Sequence, residues 1–365
     1  MKTKDIIIEA VRSRIDHPED WVWRNGNDGY LAAIDAINYA QQNPDQLTIK
    51  YDGTPALIFG RDDNGSLIIT DKSGFGAKKY NGHPPSSKEL YQMLYSRKPA
   101  EQGRHEYATT IAALWPLIDA AVPKTTRGFY QGDLMYVGTP KTEENFFVFK
   151  PNKIEYKIPV NSELGNKIAK SKAGIVVHSY FQDKNQEVPD PIDDIAELQQ
   201  SPSLLVMSPS MYDTNIEKVK IPNYDFSIID NILNPIQLKQ NKISDFPLLI
   251  GKFINYNAVQ GTPINQSSPT DFINWLPLSK TTVEKQDRIK SYIKENMESY
   301  VNLWKAILVV TYFKNSVKSN LDQKENTQIV ATLNGEPNHE GYVISTPSGK
   351  IKIVDRYKFM AKQKV

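Results

Sequence analysis

The tetrapeptide Asp62-Asp63-Asn64-Gly65 separates two short apolar runs, Ala56–Phe59 and Ser66–Thr70. An Asn-Gly step supplies the positive φ angles that a tight hairpin needs, so it commits this part of the chain to antiparallel pairing. Further strand-like runs follow at Gly128–Tyr136, Asn145–Lys150, Glu155–Ile158, Gly174–Phe181 and Ser203–Met207. They do not alternate regularly with helices. A doubly wound parallel sheet is therefore excluded in favour of an α+β arrangement.

Helical periodicity marks other stretches. Asp28 is a candidate cap for a helix from Tyr30 to Gln41, with Leu31, Ile34, Ala36, Ile37 and Ala40 on one face, inside a mostly helical segment 1–45. Leu47–Ile49 reads as a strand and Lys72–Tyr80 as a loop. Helices are expected at 86–96 and 106–121, the second interrupted by Pro116. From about 210 the composition shifts to Asn, Gln, Ile, Lys and Pro. Helices are expected there at 235–256, at 269–276 and from Val283 to Leu321. Glu340–Thr346 and Lys350–Asp355 flank Pro347-Ser348-Gly349, which predicts a terminal hairpin.

Composition removes several function classes. There is no cysteine among 365 residues, hence no disulfide, thiolate nucleophile or thiolate metal site. A net charge of +2 is too small for nucleic-acid binding by overall charge, so a local patch would have to do it. No apolar run reaches 18 residues, and the N-terminus lacks the apolar stretch of a signal peptide. The expectation is a cytoplasmic protein with no membrane partner. The five histidines show no metal-ligand spacing. His178 reads as a hydrogen-bonded core residue, and Trp21 and Trp23 read as core packing rather than base stacking. No P-loop, dinucleotide fingerprint or nucleophile elbow occurs.

Four short motifs can carry chemistry, and each also has a plain structural reading. Lys50-Tyr51-Asp52-Gly53 lies between strand-like runs. A lysine acts as a nucleophile only when it is neutral, and a following glycine permits close backbone approach; alternatively, this is a surface lysine before a turn. Asp133, in Tyr130-Gln131-Gly132-Asp133-Leu134, can accept hydrogen bonds from a ribose, or be an exposed residue beside a bulge. Glu340, in His339-Glu340-Gly341-Tyr342, can serve a divalent cation, or merely enter a turn. Lys350 and Lys352 share one strand face, as around a bound polyanion or on a solvated edge. With Arg356, Lys358, Lys362 and Lys364 they make the last residues basic. Lys280, Lys285, Arg288, Lys290, Lys294, Lys305, Lys314 and Lys318 make a second basic region, which reads as a solvated helix face.

Taken in order, these motifs resemble those of the covalent nucleotidyltransferase superfamily, the ATP-dependent polynucleotide ligases and capping enzymes. The wording is most similar to phage-type RNA ligases, including Asp71-Lys72-Ser73-Gly74 after the Lys50 motif. The resemblance spans roughly 45–185 and 335–360. It implies an antiparallel-rich nucleotidyltransferase core, ATP-grasp-like, with a mostly helical insertion. Residues 1–200 and 335–365 would form the core and 201–334 the insertion.

The roles that follow are implied by the resemblance. Lys50 would attack the α-phosphate of ATP and form a lysyl-AMP. Asp52 and Gly53 would shape its turn. Arg61 or Lys72 would contact ribose or phosphates, and Asp133 the ribose hydroxyls. Phe129, Tyr130 or a residue of Gly174–Phe181 would sandwich the adenine. Glu340 would bind Mg2+ or Mn2+, and Lys350 and Lys352 would hold the α-phosphate. The partners would be RNA ends, with DNA left open. Two departures stand out: Asp133 replaces the family's usual Glu, and Pro55 stands where an arginine is usual. They motivate an alternative, a catalytically inactive ligase-fold protein with a nucleic-acid-binding or virion-structural role. A guanylyltransferase using GTP is a third reading, disfavoured because the chain ends soon after Lys352.

Overall fold

The computed structural model describes residues 15–186, 189–192, 195–210, 217–323 and 329–361. It is a mixed α/β protein with mostly antiparallel sheets. The chain divides into two compact units. The described residues of 49–212 and 325–339 form the first; those of 15–48, 213–324 and 340–365 form the second.

The strands of the first unit begin with β1 (Thr48–Lys50), entered from the second unit, then β2 (Ala56–Arg61), β3 (Leu67–Asp71) and β4 (Gly128–Val137). β5 (Lys141–Glu143), β6 (Phe146–Phe149) and β7 (Glu155–Pro159) follow, then β8 (Ala173–Phe181), β9 (Asp190–Pro191) and β10 (Leu204–Met207). β11 (Val330–Leu333) and β12 (Glu336–Pro337) complete it. One sheet runs β10-β8-β4-β2-β3, with β9 also on β8. The other runs β12-β11-β7-β6-β5. The Asn64-Gly65 turn joins β2 to β3 as the sequence predicts, pairing Leu57 with Asp71 and Arg61 with Leu67. β10 against β8 is the parallel exception.

Alternation along these strands separates two faces. Leu57, Phe59, Ile69, Tyr130, Leu134, Ile175 and Val177 point into the main core. The helices Ser87–Ser96, Arg104–Ala113 and Trp115–Ala121 cover that face through Leu90, Leu94, Ile111 and Ile118. Ser86 caps the first of them: its Oγ accepts from the Glu89 amide and donates to the Glu89 carboxylate, a reciprocal cap. Pro116 splits the expected 106–121 helix in two. The opposite face carries a small apolar patch, Ile58, Ile68, Phe75, Phe129 and Phe181. Beyond the patch, β4 and β8 bear Gln131, Asp133, His178 and Ser179.

In the second unit, the helix Pro18–Gln42 packs against a long helix, Met297–Asp322. The first helix is kinked at Gly26, whose φ of +65° an L side chain rarely adopts. Beyond the kink, the Asn27 amide donates to Asp230 at 2.8 Å. Its buried stripe is Tyr30, Ala33, Ala36, Ile37 and Ala40, whereas Leu31, expected on that face, is 44% exposed. The expected Val283–Leu321 helix is two, Val283–Glu295 and Met297–Asp322, parted at Asn296. The expected 235–256 helix is also two, Pro235–Gln240 and Phe246–Gln260. Phe246, Phe253, Phe272, Trp275, Tyr300 and Trp304 form an aromatic core, T-shaped in several pairs. β13 (Gly341–Thr346) and β14 (Gly349–Ile353) make the predicted terminal hairpin, followed by the helix Arg356–Met360.

This division differs from the grouping drawn from the sequence. The N-terminal helix and the terminal hairpin belong with the helices of 229–322. The reason is a buried ionic cluster. Glu19 Oε1 accepts from Lys314 Nζ at 2.6 Å and lies 3.0 Å from Arg356 Nε, all three at most 1% exposed. Arg356 also reaches Asp20 at 2.7 Å. Three distant stretches of chain are thereby tied into one unit. The N-terminal residues 1–14 of the expected helical segment, together with Lys362 and Lys364, lie outside the described residues.

Candidate active site

Lys50 ends β1 and is half-buried. The turn after it is held from below. Tyr51 is buried against the Tyr156 ring, with centroids 5.7 Å apart. The Asp52 amide donates to the Tyr156 hydroxyl at 2.8 Å. The Asp52 carboxylate accepts from Asn152 Nδ2 and from the amides of Lys153 and Ile154, at 2.6–2.9 Å. Asp52 is 3% exposed. Its carboxylate thus fixes the turn, as the turn-shaping role requires.

Gly53 brings this turn against β4. A Cβ there would sit 2.6 Å from Asp133 Cβ, 2.9 Å from Met135 Sδ and 3.0 Å from the Leu134 carbonyl oxygen. Only glycine permits that approach. Reciprocal bonds continue it: the Thr54 amide donates to Leu134 O, and the Leu134 amide to Pro55 O. Two motifs some eighty positions apart are therefore in contact.

Asp133 pairs across β4 with Ala56 on one side and Val176 on the other. The register with β8 shifts between Gln131 and Gly132, leaving His178 unopposed. That is a β-bulge; His178, two residues from Val176, lies on the Asp133 face without a partner of its own on β4. His178 Nε2 lies 3.6 Å from Asp133 Oδ2, and its Nδ1 meets Ser179 Oγ at 2.9 Å. His178 is 31% exposed at its side chain and so is not the core residue the sequence suggests. Gly132 before Asp133 was the available hint of a bulge, but the residue it leaves unopposed lies on another strand.

Arg61 is committed elsewhere. It is 2% exposed and donates to the carbonyls of Pro123, Gly65, Asp119 and Val122 and to the Asp119 carboxylate. It is a clamp between the end of β2 and the segment 119–123, with no donor directed to a nucleotide. Lys72 is exposed and opens a four-residue helix, Lys72–Phe75, where the sequence suggests only loop. The helix is capped by Asp71, which accepts from the Gly74 amide at 2.8 Å and from both Arg97 terminal nitrogens. Burial alone would raise the Asp71 pKa, but Arg97 and the Gly74 amide outweigh it and hold the carboxyl below its ordinary value. Phe129 lies on the Asp133 face, whereas Tyr130 points into the main core.

Glu340, Lys350 and Lys352 lie in the second unit. Glu340 is buried, at 8% exposure. Lys350 and Lys352 lie opposite Ser345 and Val343, on one face of β14, both half-buried. Burial lowers the Lys350 pKa. Arg356 is no phosphate ligand, because it is consumed by Glu19 and Asp20. Of the second basic region, Lys314 and Lys318 are buried in ion pairs rather than solvated. Trp23 is buried against Gly251, as core packing predicts. Among the described residues no three Asp, Glu or His side chains converge on a metal position, and no helix is long and apolar enough to cross a membrane.

Residues 13–363 match the model of a family of unknown function, DUF6267, and the chain belongs to that family. No curated protein matches the chain, and no solved structure does.

Proposed function

We propose that the chain is an ATP-dependent, RNA ligase-like nucleotidyltransferase on an antiparallel-rich core. The observation that carries this reading is the packing of the Lys50 turn on Asp133 through Gly53. A nucleophile and a ribose acceptor must stand about one nucleoside apart, and a close packing of their motifs at Gly53 supports such a pairing. The Lys50 amine would attack the α-phosphate. A nitrogen–phosphorus bond forms, the bond to the bridging oxygen breaks, pyrophosphate leaves and the amine loses a proton. The AMP would pass to a polynucleotide 5′-phosphate before sealing.

With no convergent trio of metal donors among the described residues, the fit is to Mg2+ or Mn2+ carried on the triphosphate with water in most positions. When bound, the ion would neutralise phosphate charge. The resemblance also assigns Glu340, Lys350 and Lys352, each open to substitution. Arg61 is not part of the proposed site.

The test is incubation with α-labelled ATP and Mg2+ or Mn2+, then denaturing electrophoresis, with Lys50→Ala and labelled GTP alongside. A band present in the wild type and absent in Lys50→Ala supports lysyl-AMP formation. No band from folded protein under either metal sinks it. One observation favours the inactive alternative: Arg61, offered for the missing arginine, is wholly occupied by protein acceptors. That alternative predicts no band but retained binding of RNA.

A further inference from the structure

We infer that His178 is a positioning residue of the proposed nucleotide site, orienting the Asp133 carboxylate towards a ribose diol and setting a preference for ribonucleotides over 2′-deoxyribonucleotides. The inference rests on the nucleotidyltransferase reading. Three observations carry it. First, His178 lies two residues from Val176, the partner of Asp133 on β8, and so on the face that bears that carboxylate, and the bulge one residue from Asp133 leaves it without a partner on β4. Second, the imidazole is anchored at one nitrogen and faces Asp133 with the other. Ser179 Oγ, on a 5% exposed residue, lies 2.9 Å from Nδ1, and Asp133 Oδ2 lies 3.6 Å from Nε2. Third, the Gly53 turn packs so closely on Asp133 that a Cβ at Gly53 would lie 2.6 Å from Asp133 Cβ, which limits how far that side chain can shift.

A carboxylate accepts several hydrogen bonds through two oxygens. An imidazole 3.6 Å from Oδ2 confines the rotation of the carboxylate and leaves its acceptor capacity for vicinal hydroxyls. Asp is one methylene shorter than Glu, so a side chain in this place has less reach and more need of a fixed attitude. A site built to bond a hydroxyl discriminates strongly against the analogue that lacks it. Both groups remain partly open, at 31% and 20% side-chain exposure, so a ligand can reach them.

The test is single-turnover adenylylation with ATP and with 2′-deoxy-ATP. It compares wild type, His178→Ala, His178→Gln and Asp133→Asn, with melting temperatures measured in parallel. The wild type should prefer ATP by about tenfold or more. His178→Ala should bring that ratio to within about threefold of unity, by raising the ATP concentration for half-maximal rate while the maximal rate changes less. His178→Gln, whose amide donor sits near the place of Nε2, should restore most of the preference. Equal loss with both nucleotides and no rescue by Gln would mean a structural role and overturn the inference. An unchanged ratio in His178→Ala would overturn it while leaving the nucleotidyltransferase reading intact. A wild type that neither labels nor binds either nucleotide would overturn both.

Discussion

Lys314 and Glu19, 295 positions apart, meet at 2.6 Å with no solvent exposure on either side chain. Burial lowers the Lys314 pKa, Glu19 opposes that shift, and Arg356 adds to it. Removing one partner of such a pair leaves an uncompensated buried charge, which typically costs about 3–5 kcal/mol. Lys314→Ala should destabilise the second unit by that order in urea unfolding followed by tryptophan fluorescence, since Trp304 lies on the same helix. A cost under about 1 kcal/mol would show the cluster to be dispensable.

Gly53→Ala should be far worse than an average glycine substitution. Its Cβ would collide with Asp133 Cβ and the Leu134 carbonyl, neither of them a flexible chain end. Overpacking of this kind typically costs about 1–3 kcal/mol. Labelling by ATP should fall with it, because the turn bearing Lys50 must move. Full labelling in Gly53→Ala would mean that the contact is incidental.

Arg61→Ala separates two roles for one residue. The structure makes Arg61 a clamp, so the substitution should strand the carbonyls of Pro123 and Val122 and lower the melting temperature. The nucleotide concentration for half-maximal labelling should stay within about twofold, as for any group that does not touch the ligand. A large change in that concentration with unchanged stability would restore Arg61 to the nucleotide.

Asp71 supplies a pH signature. Its folded pKa lies below the ordinary carboxylate value, so it contributes stability that is fully present above that value. The contribution is lost as pH falls through the depressed folded value. Arg97→Ala should therefore flatten the acid limb of stability against pH, most visibly below about pH 4. An acid limb identical in the variant would remove the pair from the account.

Lys350→Ala and Lys352→Ala should each slow lysyl-AMP formation by roughly 10²–10³-fold, the usual effect of deleting one group that stabilises developing charge. Glu340→Gln should shift the metal concentration required. Rates within threefold of wild type for both lysine variants would exclude the roles that the resemblance assigns to β14 (an effect of about 0.7 kcal/mol or less).

Much of the fold is legible because its signals are local. The Asn64-Gly65 turn, the helix beginning near Ser86 and the break at Pro116 each depend on a few neighbouring residues. Asn296 was not legible, because Ile289, Ile293, Met297 and Tyr300 keep helical spacing across it. Neither was the partnership of the helix Pro18–Gln42 with Arg356, which depends on charges paired over the length of the chain. In the candidate site, the Lys50 turn and Asp133 are visible as motifs. His178 is not, since its placement is a matter of strand register. A one-residue shift against β4 decides what it stands opposite, and no residue next to His178 announces that shift.

The assembly of the second unit from 15–48, 217–323 and 340–361 has a consequence for synthesis. The helix Pro18–Gln42 emerges from the ribosome long before Arg356, which its buried Glu19 acquires 337 positions later. Until then the early helix carries a carboxylate without its full set of cations. The second unit can close only after all of the first has been synthesised. Premature termination upstream of Arg356, even by ten residues, would release a chain in which that helix has no finished place to dock.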